Sequence, residues 1–99
     1  MNTNPKTDSL IGFAARAGAL VSGEGTCRDQ LKSIRLLILA LDGGCGREEY
    51  FGRVYTGPVV HYGDRYHLGR ITGKSPRTVI GITDDRFAKS IKESLNMKT

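Results

Sequence analysis

The densest group of chemically active side chains is basic and lies in the second half of the chain. Between residues 65 and 77 there are four cations and no acid, and the cations are Arg65, Arg70, Lys74 and Arg77. Such a cluster is explained either by a phosphate-contacting edge or by a solvated surface, because Lys and Arg release counterions from a polyanion and also keep a protein soluble. The net charge of +5 over 99 residues fits a polyanionic partner such as a nucleic acid.

Part of this cluster nearly matches the phosphate-binding loop of nucleotide hydrolases. The segment is Gly-Arg-Ile-Thr-Gly-Lys-Ser at residues 69–75. The hydrolase loop needs four residues between its glycines, and only three separate Gly69 from Gly73. It also joins a strand to a helix, whereas this segment precedes Pro76 and a predicted strand. The sequence therefore argues against nucleotide hydrolysis.

Other residues capable of chemistry form no known catalytic or metal pattern. His61, His67, Cys27 and Cys45 lack the spacing of zinc ligands, and no Ser-His-Asp or Cys-His arrangement can be assigned. We therefore predict no enzyme activity, no metal and no cofactor. Both thiols are expected to be free, because we expect a cytoplasmic protein.

A glycine-rich segment, Ser22 to Thr26, opens a predicted helix. Free backbone N–H groups at a helix start can meet an anion or a base edge. A helix entry that binds nothing is the alternative interpretation of the same residues.

Apolar periodicity predicts alternating helices and strands that would position these groups. Helices are predicted at 9–17 with Asp8 as N-cap, from 26, at 47–54, at 64–71 and after Asp84; strands are predicted at 19–21, 36–41, 58–62 and 78–83. The continuous apolar run at 36–41 fits a central strand covered on both faces. This alternation predicts an α/β fold, a three-layer α/β/α sandwich with a four-stranded mixed sheet.

The chain length allows one domain, which we place at residues 8–96 after a disordered tail at residues 1–7. No run reaches the roughly 18 apolar residues that span a membrane. We expect a cytoplasmic monomer with no membrane partner.

Five segments carry a combined sequence signature over residues 9 to 95. They are residues 10–18, 20–24, 39–42, 68–74 and 79–84, and the most specific parts are Ala-Arg-Ala-Gly at 15–18 with Ser-Gly at 22–23, and Leu-Gly-Arg at 68–70 with Gly-Lys at 73–74. Together these segments resemble the bacterial YlxQ-type ribosomal proteins, members of the superfamily that binds kink-turn RNA.

The resemblance implies the same sandwich and an RNA site built from two elements. By position, the start of the second helix contributes Gly23, Glu24, Gly25, Thr26 and Arg28, and the loop before the last strand contributes Ser75, Pro76, Arg77 and Thr78. We add Lys32, Arg70 and Lys74 as cations that could reach a phosphate.

Three positions differ from the strong kink-turn binders of that superfamily. Those proteins carry an Asn-Glu pair that reads sheared G·A base pairs, and here the positions hold Gly25 and Thr26. Asp29 stands where a basic residue is usual. We predict a non-catalytic protein that binds a kink-turn or other structured RNA and associates with the ribosome. The alternative is a protein-interaction or structural module of the same fold with little RNA affinity.

Overall fold

Five helices and four strands alternate along the chain in the computed structural model, which describes residues 3–43 and 45–96. Helices α1 to α5 are Pro5–Arg16, Glu24–Asp29, Cys45–Val54, Arg65–Thr72 and Asp85–Asn96. Strands β1 to β4 are Leu20–Ser22, Leu36–Leu39, Val59–His61 and Val79–Ile82, and a 3-10 turn, Leu31–Ser33, follows α2. No helix in these ranges is long and apolar enough to cross a membrane.

The sheet has the strand order β1-β4-β2-β3 and is mixed, as predicted. Strand β2 pairs parallel with β3 and antiparallel with β4, which in turn pairs antiparallel with β1. Every residue of the two central strands is buried. The predicted strand at 36–41 is too long, because β2 ends at Leu39 and the Leu41 side chain is 57% exposed.

Alternate side chains of β2 enter two separate cores on opposite faces of the sheet. Leu36 and Ile38 pack in one core with residues of α1, α4 and α5, namely Ile11, Leu68, Ala88 and Ile91. Leu37 and Leu39 pack in the other core with Cys27 of α2 and Phe51 of α3. Because helices cover both faces, the predicted α/β/α sandwich is confirmed.

The first helix begins four residues earlier than predicted. The Asn4 side chain accepts hydrogen bonds from the backbone N–H groups of Lys6 and Thr7, and Pro5 fits the first helical position. Thr7 is fully buried, with its hydroxyl 2.6 Å from the hydroxyl of Ser94. The predicted disordered tail over residues 1–7 is therefore wrong for residues 4–7, and residues 1 and 2 lie outside the described range.

Gly69 lets the loop before β4 pack directly against α4. A Cβ atom at Gly69 would lie 2.5 Å from the Ser75 carbonyl oxygen. The helix ends at Gly73, whose φ of +72° favours glycine, and the Lys74 N–H donates to the Gly69 carbonyl at 2.8 Å. The loop of residues 74–78 is thereby fixed beside the last turn of α4.

Candidate nucleic-acid interface

The start of α2 and the loop before β4 lie side by side. Since β1 and β4 are antiparallel neighbours, the end of β1 meets the start of β4. The Gly23 N–H donates to the Val79 carbonyl at 2.9 Å. The Arg77 Nε donates to the Ser22 hydroxyl at 3.2 Å. The fold therefore brings together the two elements from which the predicted RNA site was assembled.

A groove of about 440 Å³ runs along this junction, and we call it the basic groove. Its polar lining consists of three cations and three hydroxyl groups, which belong to Arg16, Lys74, Arg77, Ser22, Thr26 and Thr72. Ala15 and Leu20 complete the lining. Among the described residues no carboxylate lines this groove, so the charged side chains of its lining are all positive.

The Arg77 guanidinium donates hydrogen bonds to neutral oxygen atoms of three residues. Besides the bond to Ser22, its Nη1 donates to the Ser75 hydroxyl at 2.6 Å and to the Ser75 and Pro76 carbonyls at 3.2 Å. Its backbone N–H donates to the Arg65 carbonyl at 3.0 Å. Within the described chain no carboxylate pairs with this guanidinium, and Nη2 makes no hydrogen bond. The side chain is thus oriented in advance, which lowers the entropic cost of binding an anion, while its full charge is kept.

Arg16 belongs to the groove, although it was missing from the predicted site. Its guanidinium lies 4.9 Å from the ring centre of Phe13, in the last turn of α1. The sequence signal was present, because Arg16 stands in the Ala-Arg-Ala-Gly segment that contributed to the resemblance. The predicted site omits Arg16 because it draws only on the start of the second helix, the loop before the last strand and three added cations.

The basic groove also follows an open sheet edge. Strand β1 lies at the edge of the sheet and pairs only with β4 among the described strands. The Ala19 carbonyl and the Gly23 N–H both bond across to the β4 side. Because hydrogen-bonded and outward-facing residues alternate in an antiparallel strand, the backbone groups of Leu20 and Ser22 point away from β4. Both residues line the groove, which therefore offers backbone donors and acceptors as well as cations.

The start of α2 is narrow because two glycines stand there. Gly23 has a φ of +94°, a conformation that favours glycine. Gly25 is exposed, and nothing lies within 4 Å of the position that a Cβ atom would take. Thr26 is exposed and Glu24 is half-buried. A ligand in the basic groove can thus approach the backbone at Gly25 closely.

Three of the predicted cations point elsewhere. The Arg28 guanidinium lies 5.6 Å from the ring centre of Tyr50 in α3. Lys32 lines a different groove near the start of β2. The Arg70 Nη2 donates a hydrogen bond to the Nδ1 atom of His67 at 3.0 Å. These three cations are therefore outside the basic groove.

The remaining predicted residues lie in the loop beside the groove. Ser75 and Pro76 are exposed there, next to Arg77. Thr78 is half-buried, and its carbonyl accepts a hydrogen bond from the Ala40 N–H at 2.9 Å. This bond ties the loop to the end of β2.

The described residues include one buried thiol and no group of potential metal ligands. No three His, Cys, Asp or Glu side chains among them are grouped as metal ligands. Cys27 is a free, buried thiol, as predicted, and burial raises its pKa to about 12. It therefore stays protonated and unreactive at neutral pH. The predicted free state of Cys45 concerns a side chain outside the described ones.

Comparison with known proteins gives two informative structural matches. Scans with protein-family models and against curated proteins found no match. The structure of a protein with unknown function from Bacillus halodurans C superposes with a TM-score of 0.86 and 33% identity, covering 94% of this chain and 99% of that chain. The Giardia lamblia 15.5kD RNA binding protein superposes with a TM-score of 0.72 and 20% identity, covering 96% of this chain and 88% of that chain.

Fold and groove together define a small α/β/α sandwich with a basic groove at one sheet edge. At this identity and coverage, the chain belongs to the same family as the Bacillus halodurans protein. The lower identity to the Giardia lamblia protein shows a shared fold.

Proposed function

We propose that this protein is a non-catalytic RNA-binding protein, and that the basic groove and the adjoining start of α2 contact the RNA. The observation that carries this proposal is the convergence of Arg16, Lys74 and Arg77 on one groove without a lining carboxylate. Cations of this kind supply most of the affinity for a phosphate backbone. The Giardia lamblia protein of the same fold is named for RNA binding, which supports the proposal.

In this proposal Arg77 has the central role. Its Nε and Nη1 groups are occupied by Ser22, Ser75 and Pro76, which leaves Nη2 to donate to a phosphate oxygen. Such charge-assisted bonds are stronger than neutral ones. Lys74 is exposed, and its ammonium group is a point charge on a flexible stem. It therefore attracts phosphate without fixing the direction of the contact as Arg77 does.

The RNA that we propose is a kink-turn or another structured RNA, met in the cytoplasm in association with the ribosome. Structured RNA presents unstacked bases beside its phosphates, and both can be met in the groove. With Gly25 in place of a longer side chain, base edges would approach the backbone and the Thr26 hydroxyl. We therefore propose that this protein discriminates G·A pairs less than a protein with an Asn-Glu pair.

A titration followed by fluorescence anisotropy tests this function. The two probes are a kink-turn RNA and an unkinked duplex of the same length, each measured at two salt concentrations. We expect tighter binding of the kink-turn RNA and an affinity that falls with salt. Arg77→Ala should reduce the salt slope by roughly one unit.

The matched control for that variant is Arg35→Ala. Arg35 is exposed and lies 3.5 Å from Asp85, so its removal should leave the salt slope unchanged. If the natural protein binds neither RNA measurably at low salt, the protein-interaction module becomes the better interpretation.

A further inference from the structure

Tyr66 is an aromatic side chain that the core does not use. It is 65% exposed on α4, whereas Phe51 and Tyr62 are buried in the cores. A single exposed ring is ordinary on a protein surface, so exposure alone indicates nothing. It becomes informative because it lies on α4, the helix whose last residue, Thr72, lines the basic groove.

The ring lies on the same outer face of α4 as Arg70. Residues four apart on a helix are surface neighbours, with Cβ atoms about 5–6 Å apart. The opposite face of α4 is buried through Leu68, Gly69 and Thr72. Lys74 follows the end of the helix and lines the basic groove. We call Tyr66, Arg70 and Lys74 the α4 stripe.

The α4 stripe is joined to the proposed RNA site by the backbone. The carbonyl of Arg65, one residue before Tyr66, accepts the hydrogen bond from the Arg77 N–H. The Asp42 carboxylate in turn accepts from the Arg65 N–H at 2.9 Å and from its Nε at 3.2 Å. Helix α4 is therefore fixed at its first residue to the loop that carries Arg77.

The α4 stripe carries positive charge, and a hydrogen bond to His67 orients its Arg70 side chain. The Arg70 Nη2 lies 3.0 Å from His67 Nδ1, and His67 Nε2 lies 2.8 Å from the Asp8 carboxylate. The two acids at the start of α4 are engaged, Asp42 with Arg65 and Asp64 with the His67 N–H. An aromatic ring beside a guanidinium is a combination that suits a base and its phosphate.

We propose that Tyr66 stacks on an unpaired base of the bound RNA, and that Arg70 contacts the phosphate beside that base. This inference deepens the proposed function and rests on it. Tyr66 and Arg70 are both exposed and stand four residues apart on α4, a spacing at which one nucleotide can meet both side chains. Lys74, beyond the end of the helix, lines the basic groove. The α4 stripe thus selects RNA with an unstacked nucleotide next to the segment in the groove.

The experiment compares two RNA probes and three variants. The probes are a kink-turn RNA and the same RNA with its unpaired nucleotides made abasic; the variants are Tyr66→Ala, Tyr66→Phe and Tyr66→Leu. Tyr66→Ala should weaken binding of the intact RNA about 5- to 150-fold, the range that loss of one stacked base gives. Tyr66→Phe keeps the ring and should stay within about twofold of the natural protein, whereas Tyr66→Leu should lose most of the affinity that Tyr66→Ala loses.

The abasic RNA is the decisive control. Without a base to stack on, the natural protein and Tyr66→Ala should bind it equally. Equal weakening on both probes, or no weakening on the intact RNA, would overturn the stacking role. Because Tyr66 is exposed, thermal unfolding should show the same midpoint for all three variants. If Tyr66→Ala has a lower midpoint and also binds both RNA probes equally weakly, that result counts against stacking.

Failure of this inference is distinguishable from failure of the proposed function. If the natural protein binds the kink-turn RNA and Arg77→Ala weakens it while Tyr66→Ala does not, only the stacking inference falls. If the natural protein binds neither probe, both fall together.

Discussion

The two ends of the sheet carry grooves of similar size and different electrostatics. The basic groove lies where β4 begins; two further grooves, of about 380 and 360 Å³, lie at the opposite end, where β2 and β3 begin. These two share Arg35 and Pro58 in their linings, and we call them the far grooves. Both ends are therefore concave and contain cations.

The two ends of the sheet differ in whether carboxylates lie near their cations. In the far grooves Arg35 lies 3.5 Å from Asp85, and Glu93 lines the same wall as Lys89 and Lys92. At the basic groove, Arg77 is fixed by hydroxyl and carbonyl oxygens instead. The number of cations therefore does not define a phosphate site. The chemistry of the atoms that hold each cation decides whether its charge remains available.

The largest expected effect comes from the core beneath the basic groove. Leu39 is 3% exposed and pairs in register with Val79, whose carbonyl binds the Gly23 N–H. Leu39→Ala should lower the free energy of unfolding by about 2–5 kcal/mol, because it leaves a cavity at this junction. Chemical denaturation measures the change.

Leu41→Ala is the control for that cavity. This side chain is 57% exposed two residues further along, so its loss should change the unfolding free energy by no more than about 0.5 kcal/mol. Equal losses for the two variants would contradict the assignment of Leu39 to the core.

The second-largest effect is expected at the contact between Gly69 and the loop that carries Lys74 and Arg77. Gly69→Ala places a Cβ atom 2.5 Å from the Ser75 carbonyl, so the loop must move away from α4. We expect a loss of stability of about 1–3 kcal/mol and weaker RNA binding, since Arg77 would lose its orientation. Gly52→Ala is the control, because nothing lies within 4 Å of its added Cβ atom, and it should lower neither quantity.

A larger side chain at the start of α2 should change the preference of the protein for kink-turn RNA over duplex RNA. Space around Gly25 is open, so Gly25→Val should fold and then obstruct the approach of base edges. Kink-turn binding should weaken by about 1–3 kcal/mol more than duplex binding in paired titrations. The double variant Gly25→Asn with Thr26→Glu should strengthen kink-turn binding. A double variant that binds the kink-turn no better than the duplex would remove this helix start from the interface.

The salt dependence of RNA binding should distinguish Arg16, in the basic groove, from a cation elsewhere on the surface. Arg16→Ala should reduce the salt slope of RNA binding by roughly one unit, because its charge faces the basic groove. Arg86→Ala serves as the control, since that side chain is 93% exposed on α5 beside Asp84. Similar slopes for both variants would show that net charge alone, and not the groove, governs binding.

The smallest effect concerns the buried thiol between α2 and the sheet. Cys27 has its pKa raised to about 12 by burial, so its thiolate is scarce at neutral pH. In a Cys45→Ser variant, Cys27 should react with a thiol reagent slowly in the native protein and rapidly in denaturant. Fast native labelling without unfolding would mean that the core opens locally at this point.

The sequence was sufficient to predict the layers of the fold, because apolar periodicity reflects burial directly. The continuous apolar run at 36–39 is buried on both faces of the sheet, and Ile91 of the predicted last helix lies in the core. The predicted start of α1 at residue 9 is four residues too late, because the polar residues 1–7 have the composition of a disordered tail. The Asn4 cap and Pro5 were the missed signals.

The candidate site was only partly predictable, since charge in a sequence carries no direction. Arg70 and Arg77 look alike in one basic cluster, yet His67 binds the first and Ser22 orients the second. Ser22 lies 55 residues from Arg77 along the chain, so only the tertiary structure reveals that contact. Arg16 joined the groove for the same reason, through the packing of α1 beside β1.

The neutral anchoring of Arg77 has a consequence for how binding could be controlled. Hydroxyl and carbonyl oxygens orient a guanidinium without neutralising it, whereas a carboxylate at the same distance would cancel part of its charge. Among the described residues, the polar lining of the basic groove consists of cations and hydroxyl groups. The cations therefore remain available to a polyanion, and ionic strength, which screens exposed charges, is the variable that should weaken the attraction.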